Sequence, residues 1–167
     1  MMARIRDMKA EAALKRIGAI ISYEHEWDRS RDCGSGLPMP GPQWARRFLG
    51  DSFFAKPCGC IIYDYVYPIE YLRWLSFLPT LREIAIIQSP IGDALCEILR
   101  DLRSLKNISL HGTLISDAGI ARLEVLQNLE TLIVGDTAVT QNGRDALRCR
   151  LPNCEIVDSV PVMFPAA

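Results

Sequence analysis

Leu81-Arg82-Glu83-Ile84-Ala85-Ile86, Leu105-Lys106-Asn107-Ile108-Ser109-Leu110 and Leu129-Glu130-Thr131-Leu132-Ile133-Val134 decide the fold, because they are one hexad written three times, 24 residues apart. The agreement continues outward from each hexad. A hydroxyl follows at Ser89, Thr113 and Thr137, then an aliphatic residue at Ile91, Ile115 and Val139, then a leucine at Leu99, Leu123 and Leu147. One period back, from Pro57, the same positions hold Cys60, Ile62, Tyr65, Tyr67 and Leu75, a degraded copy. One period forward, from Asn153, only Ile156 remains before the pattern stops. Self-similarity at a fixed period of this length means stacked supersecondary units rather than an ordinary globular layering.

The spacing within a unit gives its local structure. Ile108 and Leu110 are two apart, which suits a short strand sending alternate side chains inward. Asn107, Ser109 and His111 then face outward. A turn follows at Gly112-Thr113. Ser116-Asp117 reads as a helix start, since a short oxygen-bearing side chain can accept a free backbone N–H there. Ile120, Leu123 and Leu126 recur every third residue and form one inward helical stripe. The hydroxyl of Ser89, Thr113 and Thr137 is expected to bond backbone groups at the bend beneath the strand. One such unit cannot close a core alone. The expected fold is an α/β solenoid with a parallel strand ladder on one face and helices on the other.

The flanks read as a cap and a tail. Residues 1–17 predict a helix, with Ile5, Met8, Ala12, Leu14 and Ile17 along one side and Gly18 as a left-handed end. Ala19 to Tyr23 predicts a strand, 25–42 a loop, and Pro42-Gln43-Trp44 opens a second helix that Gly50 stops. The expected organisation is an N-terminal cap over 1–56, repeats over 57–158 and a tail over 159–167. The repeats divide as a degenerate 57–80, then 81–104, 105–128, 129–152 and a partial 153–158. A cap is needed because a solenoid end exposes an apolar face and an unpaired strand edge. The 19–23 strand is placed to extend the ladder, the Trp44 helix to cover the core, and Phe53-Phe54 to pack beneath the first strand.

These residues resemble a known family. Gly112-Thr113-Leu114-Ile115-Ser116-Asp117-Ala118-Gly119-Ile120 is similar to the "GT-x-I-T-D-A-G-L" core of bacterial leucine-rich-repeat proteins, relatives of the cysteine-containing and ribonuclease-inhibitor-like classes. Asp136-Thr137-Ala138-Val139-Thr140-Gln141-Asn142-Gly143 is a second copy, with Gln141-Asn142 in place of Asp-Ala. Leu151-Pro152-Asn153-Cys154-Glu155-Ile156 looks like the end of such an array. Ala13 to Gly18, the strand to Tyr23 and Pro42 to Phe54 resemble the leader placed before these repeats. The resemblance implies a leucine-rich-repeat architecture and says little about function, because repeat scaffolds host many partners. Many relatives carry a membrane helix before the leader, which this chain lacks, so no anchor is carried over.

Composition excludes several function classes. With 19 Lys+Arg against 20 Asp+Glu, the chain lacks the positive surplus of a nucleic-acid or polybasic membrane binder. No apolar run approaches the roughly 20 residues of a membrane span, and no apolar signal region follows the initial methionines. A soluble, cytoplasmic protein is expected. The six cysteines form no Cys-x-x-Cys. Cys60 and Cys96 read as small apolar core residues, with no metal site and no cofactor expected. Glu24, Glu26, Asp28 and Asp32 read as a solvated loop rather than a calcium site. Gly34-Ser35-Gly36 lacks the lysine and helix of a phosphate loop.

No enzyme is expected. Ser109 and His111 are the only hydroxyl–imidazole neighbours, they lie roughly 6–7 Å apart along a strand, and no orienting carboxylate is obvious in the sequence. The outward strand positions form the candidate binding face: Ile61 and Tyr63, Ala85 and Ile87, Asn107, Ser109 and His111, Thr131, Ile133 and Gly135. Stacked about 4.8 Å apart, they give an apolar strip around Tyr63, Ile87 and Ile133 with a polar centre at Ser109 and His111. Glu97, Arg100, Arg122 and Glu124 on the helix side read as solvated charges. The face suits a protein or peptide partner, so the expected role is a non-enzymatic interaction module. Alternatives are cover by the 25–42 loop, weak self-association, and an adaptor that recruits substrates for a separate enzyme.

Overall fold

In the computed structural model, which describes residues 2–23 and 56–158, six strands form one sheet in the order in which the chain makes them. Helix α1 (Met2–Arg16) and strand β1 (Ile20–Tyr23) precede the repeats. Then come β2 (Pro57–Tyr63), a 3-10 helix (Ile69–Phe77), β3 (Glu83–Ile87), α2 (Ala94–Leu99) and β4 (Asn107–Ser109). Helix α3 (Asp117–Ala121) runs into a 3-10 turn (Arg122–Val125), followed by β5 (Thr131–Ile133), α4 (Gln141–Arg150) and β6 (Glu155–Val157). The expected 25–42 loop with its acidic group, the Trp44 helix, Phe53-Phe54 and the 159–167 tail lie outside the described residues.

The period in the sequence is one sideways step in the sheet. Cys60 pairs with Ile84, Ile84 with Ile108, Ile108 with Leu132 and Leu132 with Ile156, all parallel. These residues and Ile62, Ile86, Leu110 and Val134 are buried in one core with Leu72, Leu75, Leu99, Leu123 and Leu147 from the helical side. The chain is therefore a leucine-rich-repeat solenoid. Buried leucines three apart, at Leu72, Leu75 and Leu78, follow the 3-10 helix Ile69–Phe77, whose three-residue turn stacks them on one line, and Ile120, Leu123 and Leu126 repeat the spacing from the end of α3 through the 3-10 turn after it. The first repeat departs from the others at Tyr67, which is half exposed where Ile91, Ile115 and Val139 are buried.

Each repeat turns off its strand in the same way. Asp64, Gln88, Gly112 and Asp136, again 24 apart, all have positive φ, between 49° and 68°. The hydroxyl that follows then ties down the bend, as the sequence suggests. Ser89 Oγ donates to Ile87 O at 3.0 Å, Thr113 Oγ1 to Leu110 O at 2.7 Å and Thr137 Oγ1 to Val134 O at 2.6 Å.

Two rows of side chains stitch neighbouring repeats together. In one, Thr80 donates to Pro57 O, Ser104 to Leu81 O and Asn128 to Arg103 O, each reaching back one repeat. In the other, the Asp93 carboxylate accepts both the backbone N–H and the hydroxyl of Ser116, at 2.8 and 2.7 Å. Asp117 does the same to Thr140, at 2.7 Å for each bond. These carboxylates lie where a side chain on the next helix would begin. A Cβ on Gly119 would overlap Asp93, and one on Gly143 would overlap Asp117. The glycine of the Asp117-Ala118-Gly119 motif thus makes room for the aspartate of the preceding repeat. Ser116 and Thr140 also cap their own helices, accepting from Ala118 N and Gly143 N.

The N-terminal elements pack against the first repeat. Gly18, at φ 84°, ends α1 in the left-handed conformation and turns the chain into β1. Strand β1 extends the sheet, but antiparallel to β2, with Ile20 opposite Ile61. Helix α1 packs against the 3-10 helix of the first repeat. Buried Glu11 accepts from the Tyr23 hydroxyl at 2.8 Å, and Lys15 donates to the same hydroxyl at 3.1 Å, fixing helix to strand.

Two outcomes follow from this packing. Leu110→Asp puts an unpaired charge in the central core and is expected to cost several kcal/mol out of a total of about 5–15. Leu114→Asp, at a side chain 65% exposed, is expected to cost less than about 1 kcal/mol; equal thermal melts would contradict the inward assignment. The second outcome concerns acid. The bonds from the Thr140 hydroxyl and then its N–H hold the Asp117 carboxyl below its ordinary 3.8, with Arg144 nearby adding to the effect. Its stabilisation is therefore complete above that ordinary value and is lost as pH falls through the lower folded one. Melting curves of Asp117→Asn between neutral pH and about pH 2 are expected to show a shallower acid loss than the wild type.

Candidate functional site

The register brings the nine sequence-predicted binding residues onto one face. Gly59, Glu83, Asn107, Thr131 and Glu155 form one row across the strands, and Ile61, Ala85, Ser109, Ile133 and Val157 form the next. Tyr63 pairs with Ile87 in a third, and His111 follows one position beyond Leu110, on the same alternation. The grouping inferred from the 24-residue spacing is thus what the sheet produces.

Exposure differs from the expectation. Ala85, Ile87 and Ser109 retain only 8, 9 and 8% of their accessible surface, and of the nine only Tyr63, at 48%, is exposed. Ile61, Asn107, His111, Thr131 and Ile133 are partly covered, and Gly135 is buried. An apolar strip through Ile87 is therefore not presented to solvent. Ala85 sits between Ile61 and Ser109 in its row, and Ile87 lies beside Tyr63. The accessible part of the face runs along its margins, at Tyr63 on one side and Asn107, Thr131 and Ile133 on the other.

The polar centre has a partner that sequence spacing does not reveal. His111 Nε2 lies 3.3 Å from Asp136 Oδ2. Asp136 comes from the turn of the next repeat, so a carboxylate does lie beside this imidazole, which the sequence spacing does not suggest. Ser109 Oγ and His111 Nδ1 are both buried without a hydrogen-bond partner, so serine and imidazole do not bond each other. Elsewhere the thiols of Cys60 and Cys96 are pushed up to about 12 by burial, and that of Cys154 to about 11. They are neutral core groups at physiological pH, not nucleophiles. Among the described residues no group of His, Cys, Asp and Glu is gathered to hold a metal ion, and no helix is long and apolar enough to cross a membrane.

The helix side presents charge, much of it paired between repeats rather than simply solvated. Glu97 meets both Arg100 and Arg122, and Glu124 meets Arg150. Lys106 pairs with Glu130 at the base of the strands. Exposed pairs of this kind contribute little each.

No family model matches the chain, and no curated protein matches it. Among solved structures it is similar to a leucine-rich-repeat protein of Leptospira interrogans, at 18% identity over 55% of this chain and TM-score 0.42. It is also similar to an internalin from Listeria monocytogenes, at 17% identity over 53% and TM-score 0.39. A third is the leucine-rich-repeat ectodomain of a receptor kinase from Arabidopsis thaliana, at 12% identity over 92% of this chain, 91% of that one, and TM-score 0.45. The chain spans 22% of the Leptospira protein and 31% of the internalin. The fold rests on the register of the chain's own strands, not on these likenesses.

The buried, unpartnered hydroxyl at Ser109 gives a direct outcome. Ser109→Ala removes a polar atom that has no bond to lose, so it is expected to leave stability unchanged or raise it by up to about 1 kcal/mol, whereas Ser109→Asp buries a charge and destabilises the array. A marked drop in the melting temperature of the alanine variant would mean that the hydroxyl is engaged after all.

Proposed function

We propose that the chain is a non-enzymatic protein-interaction module that binds a protein or peptide partner along its strand face. The observation that carries this reading is the ladder register, which collects side chains from successive repeats on one face and leaves them no part in the core. Tyr63, Asn107, His111, Thr131 and Ile133 are the accessible or half-covered members; Ile61 joins them, while Ala85, Ile87 and Ser109 form the floor between. A partner docks across several rows at once, with Tyr63 as the aromatic anchor at one margin and Asn107 and Thr131 as polar contacts at the other.

The reading is tested with partners recovered by pull-down from the native cell. Tyr63→Ala combined with Thr131→Glu is expected to keep the thermal melt and weaken the recovered partner by at least about 2 kcal/mol. Arg122→Glu on the helix side should weaken it far less. The opposite ranking in a binding titration moves the site off the strand face.

A further inference from the structure

Of the eight large apolar side chains exposed among the described residues, five lie between positions 63 and 77: Tyr63, Val66, Tyr67, Tyr71 and Phe77. Single exposed apolar residues are ordinary, but a cluster confined to one repeat is not. It forms because the first repeat has tyrosines where the others have a hydroxyl and an aliphatic. Tyr65 occupies the hydroxyl position and is 1% exposed. Its N–H donates to Ser89 Oγ at 2.9 Å and its phenol to Pro68 O at 2.7 Å, so the ring is fixed at both ends.

The other rings build outward from that anchor. Tyr65 and Tyr67 meet edge-on, with centroids 5.8 Å apart, and Tyr67 and Tyr71 do so at 6.3 Å. Tyr67 and Tyr71 are each about half exposed, at 49 and 47%. The result is a row of three rings, rooted in the core and open to solvent at its outer members. Tyrosine loses little side-chain freedom on binding, so such a row is preorganised for contact.

Charge at the row is one-sided. From Pro57 to Leu72 the chain carries two carboxylates, Asp64 and Glu70, and no lysine or arginine. Neither has an ion-pair partner among the described residues, and Arg73, one 3-10 turn beyond Glu70, does not reach it. This contrasts with Glu97, Glu124 and Glu130 of the later repeats, which are all paired with cations, and with Asp136, the counterpart of Asp64 two turns on from Gln88, which meets His111. Glu70 is close enough to the row that its charge, with those of Tyr71 and Tyr67, adds to burial in raising the Tyr65 phenol to about 12.

Ring faces and an unpaired carboxylate both attract a cation, and arginine or lysine is the protein group that satisfies them together. We propose that this row is the docking surface for an arginine or lysine side chain of a partner protein, the cation seated against Tyr67 and Tyr71 with Glu70 as its counter-ion. The proposal rests on the reading of the chain as an interaction module and adds the chemistry of the partner. It extends the strand face around its Tyr63 margin onto the first turn and helix.

The test pans a displayed library of random dodecapeptides against the full chain. Enriched peptides are then titrated by fluorescence anisotropy against the wild type, Tyr67→Ala, Glu70→Gln and Thr131→Glu, with Arg150→Ala as a remote control and thermal melts to verify folding. The expected result is a shared arginine or lysine in the enriched peptides and a loss of at least about tenfold in both Tyr67→Ala and Glu70→Gln, with binding weakened by salt and unchanged in Arg150→Ala. Peptides without a basic residue overturn the proposal, as do peptides that bind Tyr67→Ala and Glu70→Gln like the wild type. Loss confined to Thr131→Glu overturns it while leaving the strand-face reading in place. An empty selection also overturns it, as does concentration-dependent self-association in sedimentation that Tyr67→Ala abolishes, which would give the surface to a second copy.

Discussion

The parallel register between neighbouring strands is the constraint on which everything else hangs. Ile84, Ile108, Leu132 and Ile156 must sit side by side, and a slip of one residue would turn each repeat's inward set to the outer face. The chain guards this register at both ends of β3, β4 and β5. Thr80, Ser104 and Asn128 fix the entry by reaching back to the previous repeat. A positive-φ residue and a bonded hydroxyl fix the exit at Gln88-Ser89, Gly112-Thr113 and Asp136-Thr137. Strands as short as Asn107–Ser109 and Thr131–Ile133 have few ladder bonds of their own, so these side-chain ties carry a large share of the specification.

The helical side is aligned by a different device. Asp93 and Asp117 each hold the helix start of the following repeat with two bonds, and Gly119 and Gly143 leave the space the carboxylates occupy. The run ends at the position of Gln141, which bonds within its own helix to Asp145 instead. Repeats thus communicate only with their neighbours, as expected for a quasi-one-dimensional array.

The first repeat is where that regularity is relaxed. Its far neighbour is not another repeat but α1 and the antiparallel β1, so it is not held to the same interior demands. Tyr65 and Tyr67 replace the small hydroxyl and the aliphatic, a 3-10 helix replaces the α-helix, and aromatic surface accumulates there. Terminal repeats of such arrays are commonly atypical for this reason.

By itself the sequence determined the repeat, the strand positions, the inward and outward alternation, the role of Ser89, Thr113 and Thr137, and the left-handed stop at Gly18. All of these are local, or repeat at one fixed spacing, so a linear pattern records them. The tertiary structure alone decided which outward residues meet solvent. Ala85, Ile87 and Ser109 are outward yet buried, and no single unit's pattern contains their cover. The same holds for the pairing of His111 with Asp136 and for the packing of Asp93 against Gly119, where each partner lies about one repeat away. The 3-10 geometry of Ile69–Phe77 also came only with the structure, because packing of Leu72, Leu75 and Leu78 against the core is needed to hold so long a run of it.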